Sequence, residues 1–517
     1  FQQSRIFQMK KISLQAIIII VLYALCFSLV FSLPTHAETH ENGASLFQKE
    51  VQKILSSSCL RKNNFGIKIY SLDRGESLFE LRANKLFVPA SNLKILTTAV
   101  ALQILGPNYR FPTQLYTNGT LKDGVLDGDL YIKGNGDPKF VTEQMWLLVN
   151  ELKNIPVFKI TGNIIGDDSF FDDRKRVKTW IKNPGAEAYE APLGALSFNF
   201  NTVHAYVTPA AKAGKKPKVI IDPDTDYITL DNQAKTLEPG KRSRLIVNRL
   251  DYNGFNEITV SGGIHLNQPR AQYFLNITDP TQYTLSTLKK YLGHAGIQFY
   301  GKTEKGMVPE SAMELLIHES EPLTLALQGL NKFSNNFVAE QILKTIGAEK
   351  YGPPGTTLKG LKAFEEYLTL LGYRHDQFKV HDGSGLSRQN RLSPQMIIDI
   401  LRYVKNDLGV YPEFVSALGV MGVDGNVKNR MFGVKNSERA RVKTGTLNFI
   451  SALSGYFQSR DGENFAFSIL MNSLKCSNRR VKKIQDKIIR TGLRFRRIPR
   501  GSAITENQEN ASSDSAP

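Results

Sequence analysis

Three short motifs, spread over most of the 517-residue chain, restrict the folds that it can adopt. In chain order they are Ser91-Asn92-Leu93-Lys94, Ser334-Asn335-Asn336 and Lys443-Thr444-Gly445. A single match carries little weight, because roughly two or three S-x-x-K sequences are expected by chance in a chain of this length. Three motifs in this order are informative, because motifs that act together must meet at one site. The fold must therefore close a separation of 243 residues between Ser91 and Ser334.

Local context selects among the copies of the S-x-x-K pattern. Ser286-Thr287-Leu288-Lys289 also fits it, but Ser91 follows Pro89 at the start of a long apolar helix that Gly106 and Pro107 terminate. A serine at that position has backbone N–H groups and the positive end of the helix dipole beside it. We therefore select Ser91 as the candidate nucleophile.

The S-x-N pattern also has a second copy, Ser197-Phe198-Asn199. That copy lies in a segment, 195–201, whose residues are typical of a strand. Ser334 is instead predicted to open a helix over 333–346, after a β-rich region. We therefore select Ser334 and Asn336.

The selected residue types suit acyl transfer. Serine at neutral pH is a poor nucleophile and needs a group that takes its proton. Lys94 lies one helical turn from Ser91 on the same face, and desolvation or a cation such as Lys443 favours its neutral form. No serine–histidine–aspartate set is convincing. Ser334 is the candidate for passing a proton to the leaving amine, and Asn336 for holding Lys94 and the substrate amide.

The K-T-G segment is predicted to be a strand at the edge of the site. The backbone N–H groups of Ser91 and Thr446 would hold the oxyanion, and one such donor contributes about 3 kcal/mol. Lys443, Thr444 and Thr446 would bind a substrate carboxylate, with Gly445 in the same substrate-binding segment. Each residue has a structural alternative, such as a helix cap for Ser91 or a strand bulge at Gly445. The ordered set outweighs these alternatives.

The formal net charge of +18 limits the classes of partner. A basic surface suits nucleic acid, anionic lipid or an anionic cell wall, and it also occurs as a plain solvated surface. The sequence has no zinc-ligand spacing, RNP-like aromatic run or P-loop, so no nucleic acid, metal or cofactor is expected.

Asp137, within Gly134-Asn135-Gly136-Asp137-Pro138, is interpreted as a turn residue, and His381 and Asp382 as loop structure.

The N-terminal region predicts export. Lys10 and Lys11 precede an apolar run, 16–31, and Thr35-His36-Ala37 places small residues before a cleavage point ahead of Glu38. This basic, apolar, small-residue order is that of a secretory signal. An uncleaved anchor is the alternative, because an apolar run of about 16 to 18 residues is close to the minimum for spanning a membrane.

The three cysteines agree with export. Cys26 lies in the predicted signal, which leaves Cys59 and Cys476 as a pair in an oxidising compartment. A disulfide between them and two buried thiols are both compatible with the sequence.

Regular structure is predicted on both sides of a middle region, from 111 to about 318, in which short strands and turns dominate. The predicted helices of the middle and later regions are at 142–152, 322–330, 333–346 and 358–371. The predicted strands on the two sides of this region are at 65–70, 78–81, 441–443, 451–457 and 465–471. A final helix has Val481, Ile484 and Ile488 on one face and basic residues on the other, for which a solvated face is favoured over a membrane-bound one.

Four segments closely resemble the class C low-molecular-mass penicillin-binding proteins, which are D-Ala-D-Ala carboxypeptidases and endopeptidases of bacterial peptidoglycan. The segments are 89–94, 106–111, 382–388 and 442–446. Residues 189–192, 197–201 and 422–425 are also similar, and the resemblance runs from about 45 to 495. Asn135 departs from it, because glycine is expected there in a G-G-G-D-P turn.

The resemblance implies an α/β fold. A transpeptidase- and β-lactamase-like domain, with an antiparallel sheet flanked by helices, would be interrupted by two nested, mainly β domains. The expected limits are 1–37 for an N-terminal extension and signal peptide, 38–106 with 319–496 for the catalytic domain, 107–195 with 275–318 for inserted domain II, 196–274 for nested domain III, and 497–517 for a disordered tail.

The resemblance also implies an activity and its residues. The residues that match the family's active site are Ser91, Lys94, Ser334, Asn336, Lys443, Thr444 and Thr446. The expected protein is a serine-type DD-carboxypeptidase with DD-endopeptidase activity, in the periplasm or cell envelope. Its expected partners are stem peptides ending in D-Ala-D-Ala and β-lactams, with peripheral membrane contact as a further expectation. The alternatives are a β-lactamase, which the large insertion disfavours, and a non-catalytic peptidoglycan-binding module.

Overall fold

The computed structural model of the protein describes residues 42–56, 60, 64–180, 185–252 and 254–498. The predicted signal peptide and residues 499–517 of the predicted tail, 497–517, lie outside the described residues. Residues Phe47–Arg497 form one compact unit. A second unit comprises Phe1–Leu46 and Ile498–Pro517, of which 42–46 and Ile498 are described.

The cysteine hypothesis is tested at one of its two positions. Cys476 is disulfide-bonded, so the alternative of a free buried thiol is wrong for this residue. The hypothesised partner, Cys59, lies outside the described residues.

The described residues form ten α-helices and 22 strands. The helices are α1 (Gly43–Leu55), α2 (Lys94–Leu105), α3 (Thr142–Asn154), α4 (Pro280–His294), α5 (Leu323–Phe333), α6 (Asn336–Tyr351), α7 (Thr357–Leu370), α8 (Pro394–Lys405), α9 (Tyr411–Ala417) and α10 (Asn478–Arg494). The strands are β1 (Phe65–Ser71), β2 (Glu76–Leu81), β3 (Pro112–Thr117), β4 (Thr120–Lys122), β5 (Val125–Asp127), β6 (Leu130–Gly134), β7 (Lys159–Ile160), β8 (Ile164–Asp167), β9 (Thr202–Thr208), β10 (Lys218–Asp222), β11 (Ile228–Asn232), β12 (Lys235–Leu237), β13 (Leu245–Tyr252), β14 (Phe255–His265), β15 (Ala271–Asn276), β16 (Gln298–Phe299), β17 (Thr303–Lys305), β18 (Met313–Glu319), β19 (Gly419–Val420), β20 (Ala440–Leu447), β21 (Ile450–Gln458) and β22 (Asn464–Met471).

One antiparallel sheet carries the K-T-G motif. Its strand order is β19-β20-β21-β22-β1-β2. Strand β1 pairs with β22, from the far end of the sequence, with Phe65 opposite Met471. The predicted strands on the two sides of the middle region are confirmed as parts of this sheet. Beyond its short pairing with β19, the second half of β20 has a free edge that lies towards the S-x-x-K helix.

Helix α2 passes through the centre of the helical core. Its residues from Lys94 to Leu102 are all buried, because α2 is apolar around most of its circumference and is enclosed by α5, α6, α7 and α8. Gly106 ends the helix with a positive φ of 80°, as predicted. A buried helix holds its first turn in a fixed place, which positions Ser91 and Lys94.

The middle region forms four further sheets between β3 and β18. Their strand orders are β17-β8-β6-β3-β18, β16-β7-β5-β4, β10-β9-β15 and β11-β14-β12, with β13 also paired to β14. Helices α3 and α4 pack on these sheets around a second apolar core, separate from the core that encloses α2. The mixed α/β fold is confirmed, while the domain limits stay a prediction.

Two local predictions are wrong. Ser334 does not open α6: it is the residue after α5, in a left-handed conformation with φ 62°, and Asn335 is the N-cap, accepting a hydrogen bond from the Val338 N–H. Segment 195–201 is not a strand, because three consecutive residues from Asn199 to Asn201 have positive φ and form a 3-10 turn. Both errors concern residues with positive φ, a conformation that non-glycine residues adopt mainly in turns. The residue types at these positions do not predict it.

The loop containing Asp137 agrees with its interpretation as a turn. Asp137 Oδ1 accepts a hydrogen bond from the Lys139 N–H at 2.7 Å, two residues on. Asn135, where the resemblance implies glycine, donates with its amide to the carbonyl oxygen of Pro112 and to Gln114 Oε1. An asparagine is therefore accommodated in this turn.

The final helix, α10, packs its apolar face on the sheet as predicted, and Val481, Ile484 and Ile488 are buried. Its basic residues lie mostly on the exposed side. Among the residues that the structure describes, no helix has the length and apolar character needed to cross a membrane.

Candidate active site

Ser91 lies in a short 3-10 turn, Ala90–Leu93, that leads directly into α2. Two glycines let other segments approach this turn closely. A Cβ on Gly385, which has φ of 81°, would lie 1.9 Å from the carbonyl oxygen of Ala90. A Cβ on Gly445 would lie 2.9 Å from the carbonyl oxygen of Pro89. The loop 382–390 and strand β20 are thereby brought against the two sides of Ser91.

Lys94 is fully buried and has three polar neighbours at its ammonium group. Its Nζ lies 3.1 Å from Ser91 Oγ and donates to Asn336 Oδ1 at 2.8 Å and to the Ser384 carbonyl oxygen at 2.6 Å. The last two are acceptors only, so they take two of the amine hydrogens. In the neutral amine, the lone pair is then left to face the Ser91 hydroxyl.

Burial lowers the pKa of Lys94 to about 7, against the opposing effect of the nearby carboxylates of Asp382 and Glu340. A substantial fraction of Lys94 is therefore neutral near pH 7. A neutral amine within hydrogen-bond distance of a serine hydroxyl has the geometry and the protonation state of a general base.

A buried pair of carboxylates lies behind Lys94. Glu340, on α6, accepts hydrogen bonds from the backbone N–H groups of Gly383 and Ser384, at 3.0 and 2.8 Å to its Oε1. Burial and the charge of Asp382 raise the pKa of Glu340 to about 8. Both side chains are inaccessible to solvent. This arrangement orients the Ser384 carbonyl group towards Lys94.

Asp382 organises the loop that carries Ser384. Its carboxylate accepts hydrogen bonds from the N–H groups of Gly385 and Ser387, at 2.9 and 2.7 Å, and from Asn390 Nδ2 at 2.8 Å. Trp180 Nε1, from the middle region, donates to the same carboxylate at 3.1 Å. The loop is therefore rigidly tied and is connected to the inserted sheets.

Lys443 and Ser334 form the second half of the site. Lys443 Nζ donates to Ser334 Oγ and to the Thr444 carbonyl oxygen, both at 2.9 Å. Burial lowers the pKa of Lys443 well below its usual value, and the positive charge of Lys94 lowers it further. A neutral Lys94 removes that second effect and so favours a charged Lys443. No carboxylate among the described residues forms an ion pair with Lys443.

These groups border a cavity of about 710 Å³. The lining residues are Ser91, Thr179, Trp180, Tyr189, Ser334, Asn336, Leu386, Arg388, Gln389, Asn426, Thr444, Thr446, Leu447, Asn448 and Asn478. The middle region supplies Thr179, Trp180 and Tyr189, and the Tyr189 carbonyl oxygen accepts a hydrogen bond from Asn336 Nδ2 at 3.2 Å. The insertion is therefore part of the cavity wall.

The structure brings all the candidate residues to one place. Ser91, Ser334, Asn336, Thr444 and Thr446 line the cavity, while the two lysines are buried behind it and Gly445 lies against the Ser91 turn. The rejected copies lie elsewhere. Ser286 is buried within α4, and the Ser197 hydroxyl donates to the Gly194 carbonyl oxygen in the turn described above.

Sequence reasoning missed several residues of this site. Asp382 was interpreted only as loop structure, yet it is buried at the site. Glu340 gave one usable signal, because Glu340 and Gln341 interrupt the apolar residues between Phe337 and Leu343. Tyr189 was marked only by the resemblance of segment 189–192, and Trp180 gave no signal, since nothing local indicates that the middle region reaches the cavity. Within the described part of the chain, no cluster of His, Cys, Asp or Glu could hold a metal ion.

The chain is similar to known proteins over most of its length. Residues 47–492 match the model of the D-Ala-D-Ala carboxypeptidase 3 (S13) family. The chain is 31% identical to a D-alanyl-D-alanine carboxypeptidase of Actinomadura sp. (strain R39), over 83% of this chain and 82% of the relative. It is 25% identical to the D-alanyl-D-alanine carboxypeptidase DacB of Haemophilus influenzae, over 86% and 90% of the two chains. The crystal structure of penicillin binding protein 4 from Haemophilus influenzae has the same fold, with a TM-score of 0.74 at 24% identity over 85% of this chain and 98% of that one.

Proposed function

The chain belongs to the D-Ala-D-Ala carboxypeptidase 3 (S13) family and is a serine-type D-Ala-D-Ala carboxypeptidase, and we propose that it acts through an acyl-enzyme formed on Ser91. The single observation that carries the proposal is the 3.1 Å separation of Ser91 Oγ and the buried Lys94 Nζ. The substrate class is a peptidoglycan stem peptide ending in D-Ala-D-Ala.

In the first step, Ser91 Oγ attacks the carbonyl carbon of the peptide bond between the two D-alanines. Its proton passes to the neutral amine of Lys94, whose other hydrogens stay bound to Asn336 and Ser384. The carbonyl oxygen gains negative charge, which the backbone N–H groups of Ser91 and Thr446 stabilise.

In the second step, the C–N bond breaks and the terminal D-alanine leaves as an amine. Ser334, held by Lys443 at 2.9 Å, passes a proton to the leaving nitrogen and regains one from the lysines. Water then attacks the acyl-enzyme carbonyl carbon, and release of the shortened peptide restores Ser91. No group outside the site is needed to supply or remove a proton.

Substrate selection follows from the charge of Lys443. Because Lys443 lacks a carboxylate partner among the described residues, the C-terminal carboxylate of the substrate supplies its counterion. Thr444 and Thr446 lie on the same free edge of β20, where an extended peptide can add as a further strand.

A β-lactam has a reactive carbonyl group and a carboxylate that correspond to the scissile carbonyl group and the C-terminal carboxylate of the peptide. We therefore include covalent binding of penicillin in the proposal. We also include DD-endopeptidase activity, in which the leaving amine belongs to a neighbouring peptide. The cavity of about 710 Å³ is large enough for more than a single alanine.

Three further parts of the proposal concern context. We propose an exported enzyme of the periplasm or cell envelope, peripheral contact with a membrane, and the two nested inserted domains with the limits given above. The core of the middle region, separate from the core around α2, supports the division between the insertion and the catalytic domain. The net charge of +18 supports contact with an anionic surface.

The test is incubation of the protein with penicillin, followed by intact mass measurement, beside Ser91→Ala. The expected result is a stable adduct that maps to the Ser91 peptide and is absent from the variant. Rapid hydrolysis of penicillin with no lasting adduct would instead favour a β-lactamase. No adduct and no hydrolysis, with folding confirmed, would overturn the acyl-enzyme proposal and favour a wall-binding module.

A further inference from the structure

Five basic side chains converge on a second cavity, of about 450 Å³, at the C-terminal half of α10. They are Lys435, Arg439, Arg460, Arg490 and Arg494. No carboxylate among the described residues lines this cavity. Asn478, at the other end of α10, lines the active-site cavity, about 18–24 Å from Arg490 and Arg494 along the helix axis. The second cavity is thus a feature distinct from the catalytic site.

The basic lining continues into a neighbouring cavity of about 610 Å³. Arg490 and Arg494 line both cavities, and the second adds Lys53, Lys487 and the carboxylate of Glu50. We call the combined surface the basic groove; it consists of Lys53, Lys435, Arg439, Arg460, Lys487, Arg490 and Arg494.

The carboxylates near the groove form contacts other than ion pairs with its cations. Glu50 lines the second cavity and accepts a hydrogen bond from Thr491 Oγ1, at 3.0 Å, in the same lining. Asp461 accepts from Ser459 Oγ and from the Arg497 N–H. These partners hold both acids in local contacts. On α10 itself, Asp486 forms an ion pair with Arg430 at 2.7 Å. Among the described residues, no carboxylate forms an ion pair with a cation of the groove. Its lining holds seven cations and one carboxylate, Glu50, so the mutual repulsion of the cations is only partly compensated.

The residue types indicate the chemistry of the missing counterion. Four of the five cations of the first cavity are arginines, whose planar guanidinium groups present paired donors that match the oxygens of a phosphate group. A phosphate ester or diester is therefore the class of anion that fits best.

An exposed aromatic residue specifies the source of the phosphate. Phe432 is 76% exposed and lies two residues before Val434, which lines the first cavity. An apolar ring next to a cluster of cations is typical of surfaces that bind the interface of an anionic membrane. A soluble phosphate has no apolar part that the exposed ring of Phe432 could contact, whereas a membrane interface does.

We propose that the basic groove and Phe432 form a docking surface for the phosphate headgroups of an anionic phospholipid membrane. The proposal rests on the envelope location proposed above and names the surface for the membrane contact. Docking there leaves the cavity at the other end of α10 open to substrate.

The test measures binding of the full chain to phosphatidylcholine vesicles with and without phosphatidylglycerol. The quantity compared is the ratio of the two partition coefficients, because an apolar anchor would bind both kinds of vesicle equally. The first variant is Arg490→Glu with Arg494→Glu. A matched control, Lys212→Glu with Lys215→Glu, makes the same change of net charge on an exposed turn of the middle region.

We expect the ratio to fall at least about 30-fold in the groove variant, since each cation near an anionic surface contributes about five-fold. The control should keep most of the preference, and Phe432→Ser should weaken binding further. Penicillin acylation of Ser91 in every variant reports folding and tests the proposed function separately.

Three outcomes would overturn the docking surface. The first is equal loss in the groove and control variants, which would mean that binding follows net charge alone. The second is the absence of any preference for phosphatidylglycerol in the unaltered chain. The third is calorimetric binding of inorganic phosphate at the groove without vesicle preference, which would identify a site for soluble phosphate instead.

Discussion

Glu340 and Ser384 are hydrogen-bonded so that one buried carboxyl group orients a backbone carbonyl group towards Lys94. Glu340 Oε1 accepts the Ser384 N–H at 2.8 Å, and the Ser384 carbonyl oxygen accepts from Lys94 Nζ at 2.6 Å. The amine is thereby fixed by the backbone of a loop as well as by Asn336. Because both acceptors are fixed, the lone pair of the neutral amine stays directed at the Ser91 hydroxyl.

The rate of acylation should increase with pH through about 7, because burial lowers the pKa of Lys94 to about 7 and only the neutral amine accepts the Ser91 proton. The sign follows from the group: Lys94 is charged and inactive below this pKa and neutral above it. Stopped-flow acylation by a chromogenic β-lactam measures the profile. Lys94→Arg should be unreactive at every pH, because arginine stays protonated. A rate independent of pH between about 5 and 9 would contradict the assignment of Lys94 as base.

Glu340→Gln should leave the acidic limb of the same profile close to pH 7. Burial and the charge of Asp382 raise the pKa of Glu340 to about 8, so its carboxyl group is largely neutral while Lys94 titrates near 7, and glutamine keeps an oxygen that accepts from Gly383 and Ser384. Glu340→Ala should instead lower the free energy of unfolding by about 3 kcal/mol, because two backbone donors lose their acceptor. A shift of the limb to lower pH in a folded Glu340→Gln protein would show instead that Glu340 is ionised while Lys94 titrates.

Lys443→Gln should reduce kcat/KM about 10- to 150-fold for a peptide with a free C-terminal carboxylate, which corresponds to the loss of one charged hydrogen bond. The same peptide with an amidated C-terminus should be affected much less. Steady-state kinetics on the two peptides measures the difference. Equal losses on both would show that Lys443 does not bind the carboxylate.

Acylation should change the tryptophan fluorescence through Trp180, which lines the active-site cavity and donates to Asp382. The chain has two tryptophans, and the other, Trp146, is 57% exposed on α3. The change should persist in Trp146→Phe and disappear in Trp180→Phe. Loss of the fluorescence change in Trp146→Phe would mean that Trp146, outside the cavity, is the residue that responds to acylation.

Gly385→Ala should lower the free energy of unfolding by about 2–6 kcal/mol and abolish acylation, because the added Cβ would overlap the Ala90 carbonyl oxygen and the residue has φ of 81°. Gly372→Ala is the matched control. It has φ of 91° but no atom within 4 Å of the added Cβ, so it should cost about 1–2 kcal/mol and keep acylation. Denaturant unfolding measures both changes. Similar losses in the two variants would mean that backbone strain, not contact with the Ser91 turn, dominates.

The sequence predicted the elements whose signals are local. Pro89 and Gly106 marked the ends of the S-x-x-K helix, and alternation marked the strands beside the K-T-G motif. Asn335 and Ser334 were confused because both residue types cap helices, and the left-handed φ of Ser334 depends on how α5 and α6 pack.

The parts of the site that escaped prediction depend on contacts between distant segments. Glu340 acquires its role only from the loop that begins at Asp382, and Trp180 only from the position of the inserted sheets. Spacing along the chain carries no information about such contacts, because burial and orientation are set by the packing of whole elements.

The pairing of β1 with β22 has a consequence for when the enzyme comes into being. Strand β1, the first strand of the sheet, is completed by β22, the last strand to be synthesised, and Lys443 is made on β20 only shortly before it. Contacts between such distant segments form late, after the long intervening region has been made. For most of its synthesis, the chain therefore contains Ser91 without the residues that surround it in the folded protein. The arrangement on which the proposed activity depends exists only once nearly the whole chain has been made.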